Sequence, residues 1–385
     1  MLFLYIFLWC VFNSGIITNP TVSVMCLGFL FLVSFFYMGK VALAPKNNVI
    51  SILFIFVILL SIYGILFIIS GESLYLDSGL GRSISNREFL IQIYQSILPI
   101  FPFYYFACQG KLTVELMKKW IIVFFIIALI AYVKNQYKVM IDLGIEHDGL
   151  TNNGGYYFLS LFPILTFLNK NKWIQHILFV LCLILIILSV KRGAIALGIV
   201  AYLWFILNSS EKLGFSRLRT IILLCFASVV VYAMFTHLIS TNEYFLFRYE
   251  ETLEGKTSGR EHIYQSLINT YFLDSSFFQQ LFGRGAYGTL KIADNVAHSD
   301  WLELLIDLGL LGFGVYLIYW IKLLKAWFSS KVSKEIYLAL GLFIIIYFSK
   351  TFFSMSYNGM TVYSTIVLGY CLAHIPRKDN VNNLN

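Results

Sequence analysis

Apolar stretches separated by short polar breaks run along almost the whole chain. In order they are 2–18, 21–39, 49–70, 89–108, 120–138, 154–169, 173–190, 193–208, 219–240, 301–328, 335–351 and 358–375. A bilayer core takes about 20 apolar residues of helix, and lipid offers an open backbone no partners outside a helix or a closed barrel. The pattern therefore predicts an all-α polytopic membrane protein of about 12 transmembrane helices. Pro20, Pro99, Pro102 and Pro163 fall at or within these stretches, where neighbouring groups can re-satisfy the backbone that a proline frees. No internal repeat accompanies the pattern, which weighs against the repeat symmetry of many transporters.

One long polar interruption, 241–300, divides the chain into helices 1–9 (1–240), an outer loop, and helices 10–12 with a short tail (301–385). In the loop, Ile263, Leu267 and Tyr271 recur at i, i+4 and i+8, with Tyr264 and Ile268 beside them. That spacing predicts an amphipathic helix whose apolar stripe suits the membrane surface. Thr257, Ser258 or Gly259 can cap it. Arg260 then sits in the first turn, where a guanidinium and free backbone N–H groups can hold a phosphate together.

Composition agrees with a membrane protein. The chain of 385 residues is 59% hydrophobic and only 12% charged, where a soluble domain carries about a quarter. Its net charge of +8 comes from Lys and Arg placed singly or in pairs at the ends of apolar runs, a topology signal and not a nucleic-acid surface. The 18% aromatic content suits lipid contact and helix ends. The six cysteines form no CxxC and no exposed pair, so neither a disulfide framework nor a zinc site is expected. No pair of histidines has a metal-ligand spacing either. MLFLYIFLWCVF at the start lacks a basic n-region and a cleavage site, and reads as a retained first span.

Sorting the basic residues between alternate loops gives an orientation. Lys40, Lys46, Lys111, Lys118, Lys119, Lys322, Lys325 and Arg377 belong to a set with few acids, and the positive-inside rule makes that set cytoplasmic. Both termini then lie inside, and 241–300 faces out. Against this background the outer basic residues carry information. Lys191 and Arg192 occupy a tight hairpin, SVKRGA, between two apolar runs with almost no linker, and a charge near mid-membrane costs about 2.5 to 3.5 kcal/mol. An anionic ligand at Arg192 or snorkelling to lipid phosphates accounts for them. Arg284 lies in GRGAYG, 283–288, which has neither the strand nor the Lys-Ser/Thr of a nucleotide loop. It is a tight turn against a ligand or a plain flexible one.

His298 precedes HSDWLELLIDLGLLGFG. A histidine at the outer boundary titrates near neutral pH and can take a proton from a sugar hydroxyl. Trp301 would mark the interface. Glu303 and Asp307, at i and i+4, share one helical face just inside the span, so they are expected to point into the bundle toward a wet cavity or basic partners. Upstream, Asn152, Asn153, Gly154 and Gly155 open the sixth span on the outer side, as ligand donors or as a helix cap. His147, His176, His237 and His374 are weaker candidates.

Together, the entry TNNGGYYFLSLFPIL, the hairpin SVKRGA (189–194), G-R at 259–260, G-x-G-x-x-G at 283–288 and H-x-D-W-L-E-L-L-x-x-L-G-L-L-G at 298–312 resemble the O-antigen polymerase and ligase superfamily over roughly 150–325. The resemblance implies glycosyl transfer on the outer face of a bacterial inner membrane, from a glycan carried on undecaprenyl pyrophosphate. By position, pyrophosphate binding would fall to Arg192 and Arg260, and the role of base or acceptor-positioning group to His298. Lys191, Arg284 and Asn153 would join them at the substrate. His298–Ser299 stands where the family usually has H-N, and Tyr264 where it often has Trp. No metal or other cofactor is implied if arginines take the charge of the leaving pyrophosphate. Membrane lipid and a chain-length regulator are the remaining partners.

Three functions stay open. A repeat-unit polymerase moves one chain from its lipid pyrophosphate onto another lipid-linked unit. A ligase uses the same donor and transfers to lipid A–core. A transporter of lipid-linked sugars would instead carry polar residues through the midplane.

Overall fold

The computed structural model describes residues 1–44, 47–72, 74–76, 82–143, 153–168, 172–209, 214–241, 243–253, 260–329 and 332–375. The first block contains α1 (Leu2–Ser14), α2 (Pro20–Leu43), α3 (Asn48–Ser70), α4 (Glu88–Ile97), α5 (Ile100–Cys108) and α6 (Val114–Leu143). It continues with α7 (Gly155–Leu165), α8 (Lys172–Leu188), α9 (Arg192–Ser209) and α10 (Gly214–Thr241). The outer segment holds α11 (Glu243–Leu253), α12 (Arg260–Asn269), α13 (Phe277–Phe282) and α14 (Gly288–Ala293). The last block is α15 (Asp300–Ser329), α16 (Lys334–Lys350) and α17 (Val362–Ala373). The sole strands among the described residues are β1 (Leu74–Leu76) and β2 (Arg82–Ile84), an antiparallel pair between α3 and α4 with Leu74 opposite Ile84.

Each of the twelve apolar stretches contains a helix. Among the described residues, six helical segments are long and apolar enough to cross a membrane: Pro20–Leu43, Asn48–Ser70, Glu88–Cys108, Val114–Tyr137, Arg192–Ser209 and Asp300–Phe328. Others are apolar but short, among them Leu2–Asn13, Gly155–Leu168, Trp173–Leu188 and Val362–Ala373. The chain is a membrane protein built almost wholly of helices. Its outward faces carry Leu32, Ile65, Ile122 and Leu207 exposed, as lipid-facing positions require.

The C-terminal helices fill the middle of the bundle. α17 is buried from Val362 to Leu372 and packs against α5, while α16 lies against α7 and α9 and α15 against α3. These late helices therefore place the turn that follows α16 among the ends of α7 and α9.

Three expectations change. The stretch 89–108 is two helices, because Pro99 has no N–H to continue the ladder across Leu98. The stretch 301–328 is broken at Gly309, whose φ of 65° and ψ of −163° belong to a region that only glycine enters readily. The apolar stripe of α12 is covered in part by protein. Leu267 and Tyr271 are buried with Ala297 and Ile306, flanked by Ile263, Ile292 and Leu302. Ile268 of the same stripe stays exposed. The proposed caps Thr257, Ser258 and Gly259 lie outside the described residues, as do His147 and Asn152.

Candidate functional site

The turn that follows α16, Lys350 to Ser354, is where the functional elements meet. It is closed by its own backbone, with Phe353 and Ser354 N–H groups donating to the Lys350 carbonyl. From the loop side, Arg260 in the first turn of α12 donates through Nη1 to the Phe353 carbonyl at 2.9 Å. From α15, the Asp300 N–H donates to the Thr351 carbonyl at 2.9 Å, and the Trp301 indole N–H to Thr351 Oγ1 at 2.9 Å. From the α8–α9 hairpin comes Gly193, where a Cβ would stand 2.7 Å from the Phe353 ring and 3.0 Å from the Tyr156 hydroxyl. A side chain there would hold α9 away from the turn. Tyr156 of α7 completes the ring of contacts, hydrogen-bonding Ser354 within reach of the Arg260 charge.

This convergence gathers cations. His298 sits near both Arg260 and Lys191, and Lys350 feels Lys191 and Asp300. The Lys350 ammonium lies 4.9 Å from the centre of the Tyr156 ring and 6.0 Å from that of Tyr347. Tyr264, one turn along α12, also feels Arg260. Burial first, then the charges of Arg260 and Lys191, push the His298 imidazole down to about 4. The ring is therefore neutral at pH 7 and keeps a lone pair for a proton. Its backbone is left-handed, φ 52°, as is Val190, φ 54°, just before Lys191. A β-branched residue rarely adopts that conformation, so the hairpin holds Lys191 in place at some local cost.

The acids of α15 do different work. Asp300, Glu303 and Asp307 are fully buried, at i, i+3 and i+7 along one face. Asp300 accepts from the Ser356 N–H at 2.8 Å, the Tyr357 N–H at 3.2 Å and the Tyr316 hydroxyl at 2.5 Å. Glu303 accepts from the Thr289 hydroxyl and the Ala297 N–H, both at 2.8 Å. Asp307 accepts from the Tyr287 N–H at 3.1 Å and the Thr289 N–H at 3.2 Å, and so caps the start of α14 from a neighbouring helix. The expectation that Glu303 and Asp307 face a wet cavity or basic partners is thus corrected: their partners are backbone donors and a hydroxyl of the outer segment. Trp301 likewise commits its N–H to Thr351.

Comparison with known proteins bears on this arrangement. Residues 177–317 match the family model described as O-antigen ligase. That stretch is similar to proteins of the O-antigen polymerase and ligase superfamily. It spans Lys191, Arg192, Arg260, His298 and the three acids; the Asn-rich entry at 152–155, Tyr156 and Lys350 fall outside it. No curated protein and no solved structure matches the chain. Proteins of this superfamily are membrane enzymes that transfer glycans, and they act on lipid-linked glycans.

Within the matched stretch the structure separates the candidate residues. Arg260, His298 and Lys191 come together. Of the hairpin pair, Lys191 is the one whose charge reaches His298 and Lys350; Arg192 opens α9. Asn153 is exposed at the start of α7, its carbonyl accepting from Tyr156 N–H at 3.1 Å. Two residues on, Gly155 is pressed against Ser189 of the hairpin turn, which leaves Asn153 at the rim of the cluster.

Arg284 goes elsewhere. Its Nη2 donates to Ser275 Oγ at 3.1 Å, and its backbone N–H donates to the Ile306 carbonyl at 2.8 Å, with Gly285 N–H on the Asp307 carbonyl at 3.0 Å. The break at Gly309 frees those carbonyls, and GRGAYG satisfies them. Gly283 has φ 78°, and a Cβ there would lie 2.2 Å from the Asp307 carbonyl oxygen. The glycine motif therefore brackets a broken helix, and Arg284 Nε is left buried without a hydrogen-bond partner.

Lys350 and the turn after it are what sequence reasoning missed as a site. The signal was present: a lysine ends an apolar run on the side that the charge sorting expects to be outer, shortly before the polar SMSYNGM. A cation there runs against the charge bias of outer loops.

Proposed function

We propose that this protein is a polysaccharide repeat-unit polymerase of the bacterial inner membrane, with both termini cytoplasmic and the cluster on the outer face. The donor is an oligosaccharide on undecaprenyl pyrophosphate; the acceptor is a hydroxyl of a second lipid-linked unit. The observation that carries the reading is the meeting of Arg260 and Lys191 around a neutral His298. In the transfer, the acceptor oxygen bonds to the anomeric carbon and the bond from that carbon to the diphosphate oxygen breaks. The electron pair leaves with the diphosphate, whose growing charge the cations stabilise. The acceptor proton passes to the His298 imidazole. Arg192, next to Lys191, serves the same anion, and Asn153 at the rim serves the sugars.

Burial first, and then the charges of Arg260 and Lys191, make the imidazole a weak base. Arrival of the diphosphate offsets those charges and raises its basicity at the moment it is needed. Binding of the donor therefore prepares the proton acceptor.

The test uses purified protein in nanodiscs with a defined lipid-linked repeat unit and no ATP. Lipid-linked chains of two or more units are expected. Transfer only to added lipid A–core would assign the ligase reaction, and movement of the unit across the bilayer without any new glycosidic bond would assign transport. Neither of those outcomes is compatible with a polymerase.

A further inference from the structure

Lys350 is 6% exposed, yet among the described residues its ammonium has neither a hydrogen bond nor an ion pair. Its neighbours are the faces of Tyr156 and Tyr347, the like charge of Lys191, and Asp300. Asp300 already accepts from Tyr316, Ser356 and Tyr357, so its hydrogen bonds go to the chain around it and not to the ammonium. Tyrosine faces attract a cation but replace only part of its hydration. With the opposite charge of Asp300 and the like charge of Lys191 both acting on it, the ammonium still has N–H donors to give to a further anion.

The position of Lys350 also differs in kind from that of Arg260. Lys350 is the last residue of the apolar helix α16, whose preceding residues Phe343, Ile344, Ile346 and Tyr347 are buried. Arg260 belongs to a helix of the outer segment and is half-buried. The two meet at one turn, Lys350 supplying its first residue and Phe353 receiving the guanidinium. A bound diphosphate that bridges them has one phosphate toward the helix and one toward the loop.

We propose that Lys350 binds the lipid-proximal phosphate of the polyprenyl diphosphate donor, while Arg260 binds the sugar-proximal one. This rests on the glycosyl-transfer reading above and adds the direction in which the donor lies: tail toward α16, anomeric carbon toward His298. Lys350 lies outside the residues that match the superfamily domain, so the assignment comes from the packing of α16 alone.

The experiment measures binding of short-chain polyprenyl monophosphate, polyprenyl diphosphate, polyprenol and inorganic pyrophosphate to the full-length protein in nanodiscs. Wild type, Lys350→Met and Arg260→Ala are compared. The monophosphate carries only the lipid-proximal group, so Lys350→Met is expected to weaken it by about tenfold or more, the scale of one hydrogen bond to a charged group. Arg260→Ala is expected to leave it within about twofold of wild type. The diphosphate should suffer in both variants, and polyprenol in neither. A thermal melt checks that each variant keeps its fold. If that variant does not accumulate, Lys350→Gln takes its place.

Wild-type protein that fails to prefer the diphosphate lipid over polyprenol would sink the donor assignment itself. Normal diphosphate preference with monophosphate binding that depends on Arg260 and not on Lys350 would overturn this inference alone. Inorganic pyrophosphate binding as tightly as the lipid diphosphate would place a free anion, not a lipid headgroup, at Lys350.

Discussion

Asp300, Glu303 and Asp307 are fully buried, and each is surrounded by N–H or O–H donors of its own chain. Arg260 and Lys350 sit at the turn that Asp300 holds, but they rest on one carbonyl and on tyrosine rings. Both oxygens of each acid already accept a hydrogen bond from the chain, and the cations still have donors to give. A buried carboxylate held by several donors organises structure, because removing it orphans every donor at once. A cation packed on rings keeps donors for something that is not part of the protein. Charge type and burial alone do not separate these roles; the partners do.

The largest expected effect tests the cationic side. His298→Ala and Arg260→Ala should each reduce polymerisation by roughly a hundred- to ten-thousand-fold, the range for losing a general base or a charge-stabilising donor. Protein levels in membranes should stay near wild type. Chain-length distribution on a polysaccharide gel, read beside an immunoblot, checks both. A full ladder in either variant removes that residue from the site.

Next comes the acidic side. Asp307→Ala leaves the N–H groups of Tyr287 and Thr289 buried without partners, at about 1 to 3 kcal/mol for each. The protein should melt lower and accumulate less, whereas Asp307→Asn, which keeps an acceptor, should be milder. Should Asp307→Ala melt like wild type and fail only in transfer, the acids would have to be moved to the chemical side of the comparison.

A smaller effect is expected in pH dependence. His298 is held down to about 4, below its ordinary 6.5, so the free protein keeps a neutral imidazole down through weakly acidic pH. The acid limb of kcat/KM is expected near that value, and Lys191→Met should move it upward. The move stays short of 6.5, because burial is the larger cause. For stability the sign follows from the unfolded chain taking the proton first. The contribution of His298 is complete above about 6.5 and is lost as pH falls toward about 4. An acid limb that ignores Lys191→Met would separate that lysine from the imidazole.

The smallest effect calibrates the others. Lys291 pairs with Glu72 between α14 and the residues after α3, partly exposed and hydrogen-bonded to none of the three acids. Lys291→Met should change stability by less than about 1 kcal/mol and leave chain length unaltered. A loss of polymer in that variant would mean that any charge change in the outer segment disturbs transfer, and the contrast between the two sets would lose its force.

Much of the helical framework was legible because it depends on local properties. The twelve apolar stretches contain helices since a run of apolar side chains in lipid has no other way to pair its backbone. Arg260, His298 and Lys191 were legible as candidates for a related reason: charges at a boundary where they are costly stand out from an apolar background. The fate of Arg284 was not legible. Its GRGAYG context suits a ligand turn or a flexible one equally, and the choice was made by carbonyls that Gly309 frees more than twenty residues later. The stripe of α12 was recognised correctly as apolar, but periodicity does not say whether lipid or α15 will cover it.

By itself, then, the sequence determined a helical membrane protein, a polar segment between its ninth and tenth apolar runs, and a short register of boundary charges. Tertiary structure decided which of those charges meet. Arg260 reaches a carbonyl 93 residues away, and Asp300 reaches N–H groups 56 and 57 residues on. Apolar periodicity is a property of neighbours along the chain, whereas the partner of a buried charge is whichever polar group packing brings beside it.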